Sequence, residues 1–179
     1  MRILADRINH DTNLRKKWDG GRDLNNEFET ASNSDLDEIL SLINTVNREW
    51  YSTIIPKEHY REPFLTRTQL DEMATIMEFF VLRKDGQIIA VGSIGSKDKK
   101  TAWIPLMHVH SRYQRRGIGS SLLGFLEKKA GALNFSKIQL ETDSEAKWAI
   151  NFYKKHSYSI FKKDKIPWGY HVWLEKTLN

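Results

Sequence analysis

Between residues 101 and 131 an apolar run, TAWIPLMHVH, meets an arginine- and glycine-bearing turn, SRYQRRGIGS, and passes at once into a helix-patterned run. This succession constrains the chain more than any other stretch. Ile118, Leu122, Leu126 and Ala130 recur on one helical stripe, and the pattern stops near Gly131. A strand, a glycine turn and a helix in immediate succession leave the first helical N–H groups unpaired, gathered in one concavity at the positive end of the helix dipole. Such a turn suits phosphate. Pro105 inside the apolar run implies an edge position or a bulge, because proline cannot donate to a sheet ladder.

The remaining elements are built around that unit. EFETA (27–31) reads as a short strand, and Ser34 as the N-cap of a helix carrying Leu36, Ile39, Leu40, Ile43, Val46 and Trp50 at helical spacing. TRTQLDEMATIM (66–77) reads as a second helix. EFFVLRKDGQIIAVGSIG (78–95) reads as two strands joined at Asp85-Gly86, a strong hairpin signal. A strand at 137–142, a helix at 144–156 and strands at 158–163 and 169–176 complete the order β α α β β β α β α β β. Residues 1–26 are polar, with Gly20-Gly21 as a hinge, and read as an arm ahead of a domain over 27–179.

Two familiar phosphate motifs fail here. A P-loop requires Lys then Ser/Thr after its last glycine, whereas Ser120 and Ser121 follow Gly119. A dinucleotide fingerprint requires a third glycine where Leu122 stands. The chain has no cysteine, which excludes thiol catalysis and thiolate metal sites, and its six histidines show no close metal-ligand spacing with carboxylates, so no metal is expected. It has neither a signal-peptide core at its start nor an apolar run of membrane-spanning length, which leads to the expectation of a soluble cytoplasmic protein without a membrane partner. A net charge of +5 invites anionic partners.

What remains is the pattern Q/R-x-x-G-x-G/A, here Gln114-Arg115-Arg116-Gly117-Ile118-Gly119, with LMHVHSRY before it and AINFYKKHSY (149–158) at a distance after it. In these segments, and in element order from about 27 to 176, the chain resembles the GNAT family, the Gcn5-related N-acetyltransferases. One departure is Ser157, where the family segment A-x-x-F-Y-x-x-x-G-F has glycine. The resemblance implies an α+β GNAT acyl-CoA N-acyltransferase fold, with a mixed, mostly antiparallel sheet flanked by helices. That sheet would be splayed between its fourth strand (101–110) and its fifth (137–142).

It further implies acetyl-coenzyme A as co-substrate and direct acetyl transfer to an amine, on a protein or a small molecule. The backbone of Met107, His108 and Val109 would pair with the pantetheine arm. Gln114, Arg115, Arg116, Gly117, Ile118, Gly119 and Ser120 would surround the pyrophosphate, and Asn151 would touch the cofactor's pantetheine or adenylate side. Tyr153 matches the family's general acid, which protonates the departing thiolate. The fourth strand lacks the carboxylate that many members use as a base. His108, Glu78 and Glu141 are the titratable groups on neighbouring strands, and His108 has the most suitable ordinary pKa, about 6.5. Trp50, Tyr51, Tyr60, Trp103, Trp168 and Tyr170 fall where the family builds its acceptor site. Alternatives are an acyl-coenzyme A sensor, a transferase of another acyl group, or a nucleic-acid module using the arginine turn as a phosphate track. The last lacks any aromatic sheet motif, zinc pattern or recognition helix, so nucleic acid is not an expected partner. The oligomeric state is left open, a homodimer included.

Overall fold

The computed structural model describes residues 27–178. The expected arm, 1–26, lies outside the described residues. The elements run β1 (Glu29–Thr30), α1 (Leu36–Trp50), α2 (Arg67–Ala74), β2 (Met77–Lys84), β3 (Gln87–Ser96), β4 (Thr101–Trp103), β5 (Met107–Val109), α3 (Ile118–Ala132), β6 (Lys137–Asp143), α4 (Lys147–Lys155), β7 (Ser159–Ile166) and β8 (Gly169–Thr177). The strands form one sheet in the order β1-β2-β3-β4-β6-β8-β7, with β5 attached to β3, and the sheet is not closed. Pairing is antiparallel throughout except at β4/β6, which is parallel.

Two apolar cores lie on opposite faces of this sheet. In β2, Phe79 and Val81 point to one face and Phe80 and Leu82 to the other, so a continuous buried run replaces alternation. The first face is covered by Ile39, Leu42, Ile43 and Val46 of α1 with Leu70 of α2. The second is covered by Leu122, Leu123 and Leu126 of α3 with Tyr153 of α4. Gly92 lets α3 approach β3 closely, since a Cβ there would stand 2.9 Å from a methyl of Leu126.

The expected strand 101–110 is two strands. Gly95 and Ser96 of β3 pair with Trp103 and Ala102, while Ala90, Val91 and Gly92 pair with Val109, His108 and Met107. Between these pairings β3 advances by Ser93 and Ile94 and its partner by Ile104, Pro105 and Leu106. The extra residue is a bulge at the proline, as its missing N–H demands.

Helix ends are set by local contacts, and one of them differs from expectation. Ser32, not Ser34, caps the first helical unit: its N–H donates to Asp35 Oδ2 at 2.8 Å, in a short 3-10 turn ahead of α1. This hydrogen bond, chiefly, holds the Asp35 carboxyl below its ordinary pKa. The α3 helix stops at Ala132, near Gly131 as expected, and Asn134 (φ 63°) takes the left-handed position that ends it. Ser157 does the same after α4, with φ 69°. Tyr158 N–H donates to Tyr153 O (3.1 Å) and Ser157 N–H to Lys154 O (3.0 Å), the two bonds of a Schellman ending. The accompanying apolar contact is Tyr153 against Tyr158, with ring centroids 5.8 Å apart.

A serine in left-handed backbone carries roughly 1–2 kcal/mol of steric strain, offset in part by the greater unfolded-state freedom that glycine would bring. Ser157→Gly is therefore expected to raise stability by about 0.5–1 kcal/mol, a melting increase of ~2 °C in a domain of this size. A thermal melt that fails to rise would show that the serine relieves its strain elsewhere.

Candidate active site

The site begins where β4 and β6 part. Ile104 N–H donates to Gln139 O at 3.0 Å, and no backbone bond joins the two segments beyond it among the described residues. From there β6 continues to Asp143 paired only with β8, and β5 pairs only with β3. Leu106 O accepts from Ser93 N–H and His110 N–H donates to Ile89 O, each at 2.9 Å. Antiparallel alternation then turns the backbone groups of His108 toward Val91, and those of Met107 and Val109 toward the opening. The Val109 carbonyl accepts from Gln114 Nε2 at 2.8 Å. The other edge groups of Met107 and Val109 face the gap like those of a strand awaiting a neighbour.

At one mouth of this gap stands the N-terminus of α3. Arg115 (φ 62°) and Gly117 (φ 85°) both take left-handed backbone, which curls the turn into a concave nest. Gly117 is the N-cap and supplies no side-chain cap, and the first helical bond is Ser121 N–H to Gly117 O at 3.0 Å. The amides of Ile118, Gly119 and Ser120 thus meet the concavity at the helix's positive end. Ile118 anchors the turn in the core at 1% exposure. A Cβ on Gly119 would lie 3.7 Å from the Phe152 ring and 4.0 Å from Val109 Cγ2, so this glycine lines the seam between β5 and α4. The Arg116 guanidinium lies 5.7 Å from the centre of the Tyr113 ring.

Tyr153 of α4 is buried beside the gap. Burial, and secondarily Tyr51, push its phenol above the ordinary tyrosine pKa, so it is protonated at neutral pH. The Tyr51 hydroxyl bridges from the end of α1 to Thr142 Oγ1 of β6 at 3.3 Å. Its own pKa is also raised, first by burial. His108 points to the α1 face, where Asn47 Nδ2 donates to its Nε2 at 2.9 Å and to Ile43 O at 3.0 Å. The carbonyl partner fixes the amide orientation, so His108 Nε2 is an acceptor and Nδ1 carries the proton. That Nδ1 is buried without a partner among the described residues. Burial lowers the His108 pKa to about 4.

Residues 40–158 match the family model of the acetyltransferase (GNAT) family. The chain belongs to this GNAT family. The family's enzymes are N-acetyltransferases, and their co-substrate is acetyl-coenzyme A. Solved structures with the same fold include PaiA N-acetyltransferase from Thermoplasma acidophilum in complex with coenzyme A. It is 17% identical, with a TM-score of 0.71 over 85% of this chain and 98% of that one. A GNAT acetyltransferase from Elizabethkingia anophelis with acetyl-coenzyme A bound is 16% identical, with a TM-score of 0.62 over 84% and 97% of the two chains. A GNAT acetyltransferase from Streptococcus pneumoniae is 18% identical, with a TM-score of 0.66 over 85% and 98%.

Within this GNAT domain the open edge of β5 and the uncapped α3 terminus fit an elongated ligand bearing amides and phosphates. Asn151 is exposed on α4, one residue before Phe152. Trp50 and Tyr51 join Trp148, a residue not singled out in the sequence, at centroid distances of 5.3 and 5.9 Å. His59 stacks on Trp168 at 4.9 Å, so the 51–66 loop meets the β7–β8 hairpin over the end of β6. Asp143 anchors this wall: it is buried, its Oδ2 accepts from Trp168 Nε1 at 2.5 Å, and its Oδ1 accepts from Glu145 N–H at 2.8 Å. Glu78 is not brought to the gap. It lines a hollow of about 400 Å³ with Ile76, Leu133 and Phe135, at the C-terminal end of α3. Among the described residues no group of His, Cys, Asp or Glu is arranged to hold a metal, and no helix is long and apolar enough to cross a membrane.

The His108 environment has a consequence for stability. The unfolded chain binds a proton at an imidazole pKa near 6.5 and the folded chain only near 4, so stability falls as pH drops through that window. The contribution is on the order of 3 kcal/mol. His108→Gln keeps an acceptor for Asn47 but does not titrate. Urea melts at pH 7 and 4.5 are expected to show a smaller acid loss in the variant than in the wild type. Equal losses would mean that other groups govern the acid limb.

Proposed function

We propose that this domain transfers acetyl from acetyl-coenzyme A directly to an amine, with Tyr153 as the acid that protonates the departing thiolate. The observation that carries this reading is the meeting of two unfilled sets of donors. The free amides of the α3 terminus open onto the same gap that the edge of β5 lines. In this reading the amides of Gly117–Ser120, with Gln114, Arg115 and Arg116 around them, take the pyrophosphate. Met107 and Val109 pair with the pantetheine amides, and Asn151 borders the cofactor from α4. The complexes of proteins with the same fold with coenzyme A and with acetyl-coenzyme A support this assignment.

No covalent acyl-enzyme is involved, and the chain has no cysteine to form one. Positioning therefore supplies much of the rate, with polarisation of the acetyl carbonyl by backbone N–H groups. The raised pKa of Tyr153 keeps its proton in place until a thiolate develops nearby. His108 acts on this site as a neutral, positioned ring, since its Nε2 lone pair is engaged by Asn47. The acceptor enters from the α1 face, beneath the wall of Trp50, Trp148, His59 and Trp168. A cysteine-free chain using acetyl-coenzyme A is suited to the cytoplasm.

Gly119→Asp tests the cofactor half. Its Cβ meets only ordinary contacts, so the variant is expected to fold, while its carboxylate faces the incoming phosphates. The melting increase that acetyl-coenzyme A gives the wild type is expected to vanish, and an undiminished shift would overturn the phosphate assignment. Tyr153→Phe is expected to retain that shift and to lose about 10²-fold in turnover with whichever amine a panel identifies. Unchanged turnover, measured where chemistry limits the rate, would leave the tyrosine only a packing role.

A further inference from the structure

We infer that the acceptor is a zwitterion, an amine with a carboxylate on the neighbouring carbon, and that Glu141 and Lys97 receive its two ends over the Trp173 ring. The inference rests on the transfer reading above and names the substrate class of that site. It begins from an uncovered face. The core under α1 and α2 is built on β2 and β3 and draws no residue from β4, β6, β7 or β8. Ile138, Leu140, Val172 and Leu174 enter the other core, so by strand alternation Gln139 and Glu141 of β6 and Trp173 and Glu175 of β8 stand on the open side. Trp103 of β4 is opposite Gln139, and Lys162 and Asp164 of β7 are opposite Trp173 and His171, so they share that side.

Most charges on this face are spent on one another. Lys137 pairs with Glu175 at 3.1 Å, and Lys162 with Asp164 at 2.8 Å. Two are left over. Glu141 accepts no hydrogen bond from any described residue, and its close ionisable neighbour is His171 Nδ1 at 4.0 Å. Lys97, exposed in the β3–β4 turn, makes no ion pair among the described residues, and its Nζ lies 4.2 Å from the centre of the Trp173 ring. Glu141 and Trp173 are directly opposite on β6 and β8, so anion, indole and cation form a row. Lys97 acts on Glu141 electrostatically without pairing with it. The indole is fixed, because Trp173 Nε1 donates to Asp164 Oδ2 at 2.8 Å. Trp103 Nε1 is buried with no acceptor among the described residues, so a further donor on this side is unspent.

A simple amine would occupy Glu141 and leave Lys97 unused. In a zwitterion the ammonium turns to Glu141 and the carboxylate to Lys97. Two contacts of about 2.8 Å around charges ~3 Å apart span roughly 8 Å, room that two protein groups already in contact would not leave. Glu141 is two residues past the Gln139 carbonyl that closes the gap, so the amine is the end held toward the acetyl group. The side chain is left to the wall of Trp50 and Trp148, each 38% exposed, which suits an apolar or aromatic group. The class is a free α-amino acid of that kind, and the product is its N-acetyl derivative. In the step the nitrogen bonds to the acetyl carbon, the carbon–sulfur bond breaks and the thiolate takes the Tyr153 proton. Of the two protons the ammonium gives up, one restores Tyr153 and the other goes to solvent.

The probes are phenylalanine, tryptophan, leucine and methionine, each with its amide and its decarboxylated amine, and thiol release from acetyl-coenzyme A is followed. The best amino acid is expected to exceed both of its analogues by about tenfold or more in kcat/KM. The amide is the stringent comparison, because its less basic amine is more often free to attack. Lys97→Met is expected to keep the acetyl-coenzyme A melting shift and to lose about tenfold in kcat/KM with the amino acid, through KM, so that its preference over the amide collapses. Lys97→Arg is expected to restore most of that preference. A wild type that turns over the amide as fast as the acid would overturn the proposal, as would a Lys97→Met loss shared equally by all three compounds. Binding of acetyl-coenzyme A without turnover of any of the amino acids would overturn it too. Failure of the wild type to bind acetyl-coenzyme A would instead remove the transfer reading on which it stands.

Discussion

The absent N–H of Pro105 governs how this sheet is built. A regular strand over 101–110 would hydrogen-bond on both edges along its whole length. The bulge at Ile104–Leu106 divides it, so that β4 bonds to both β3 and β6 while β5 bonds to β3 alone. Two consequences follow from one irregularity. Backbone groups that would have been spent inside the sheet are left facing the gap, and β6 is released to carry polar side chains along a gap that a closed sheet would have filled.

The glycine turn into α3, the bulge and the hairpin at Asp85-Gly86 were legible because each depends on a residue with one backbone rule. Proline at 105 and glycine at 117 state their geometry locally. Cap choice was not legible: Ser32 and Ser34 are both acceptable caps, and the selection depends on Asp35 reaching back to Ser32. The end of α3 near Gly131 was legible, but the residue that ends it was not, because asparagine also tolerates left-handed backbone, and Asn134 uses it. Partners distant in the chain carried no signal. Asn47 and His108 meet across 61 residues and Asp143 and Trp168 across 25, and nothing in either segment alone announces the meeting. Trp148 escaped notice because an aromatic on a helix carries no mark of its neighbours until α1 is docked beside it.

Electrostatically the gap is asymmetric. On the β5 side the histidine is held neutral by burial and oriented by an amide. On the β6 side a carboxylate stands half-exposed among lysines that soften its desolvation without pairing with it. At neutral pH the histidine and the Tyr153 phenol are uncharged, while the α3 terminus and its arginines concentrate positive potential at their mouth of the gap.

The register of the last strand has a practical consequence. Thr177 pairs with Lys137, and Leu178 N–H reaches Ser136 O at 2.8 Å, so the described chain ends where β4 and β6 are still joined. The α3 helix, 15 residues and about 22 Å long, runs from that end to the turn at Gly117. A surface linker or fluorescent partner attached after β8 would therefore hang from the sealed end of the wedge, leaving the open end to face solution.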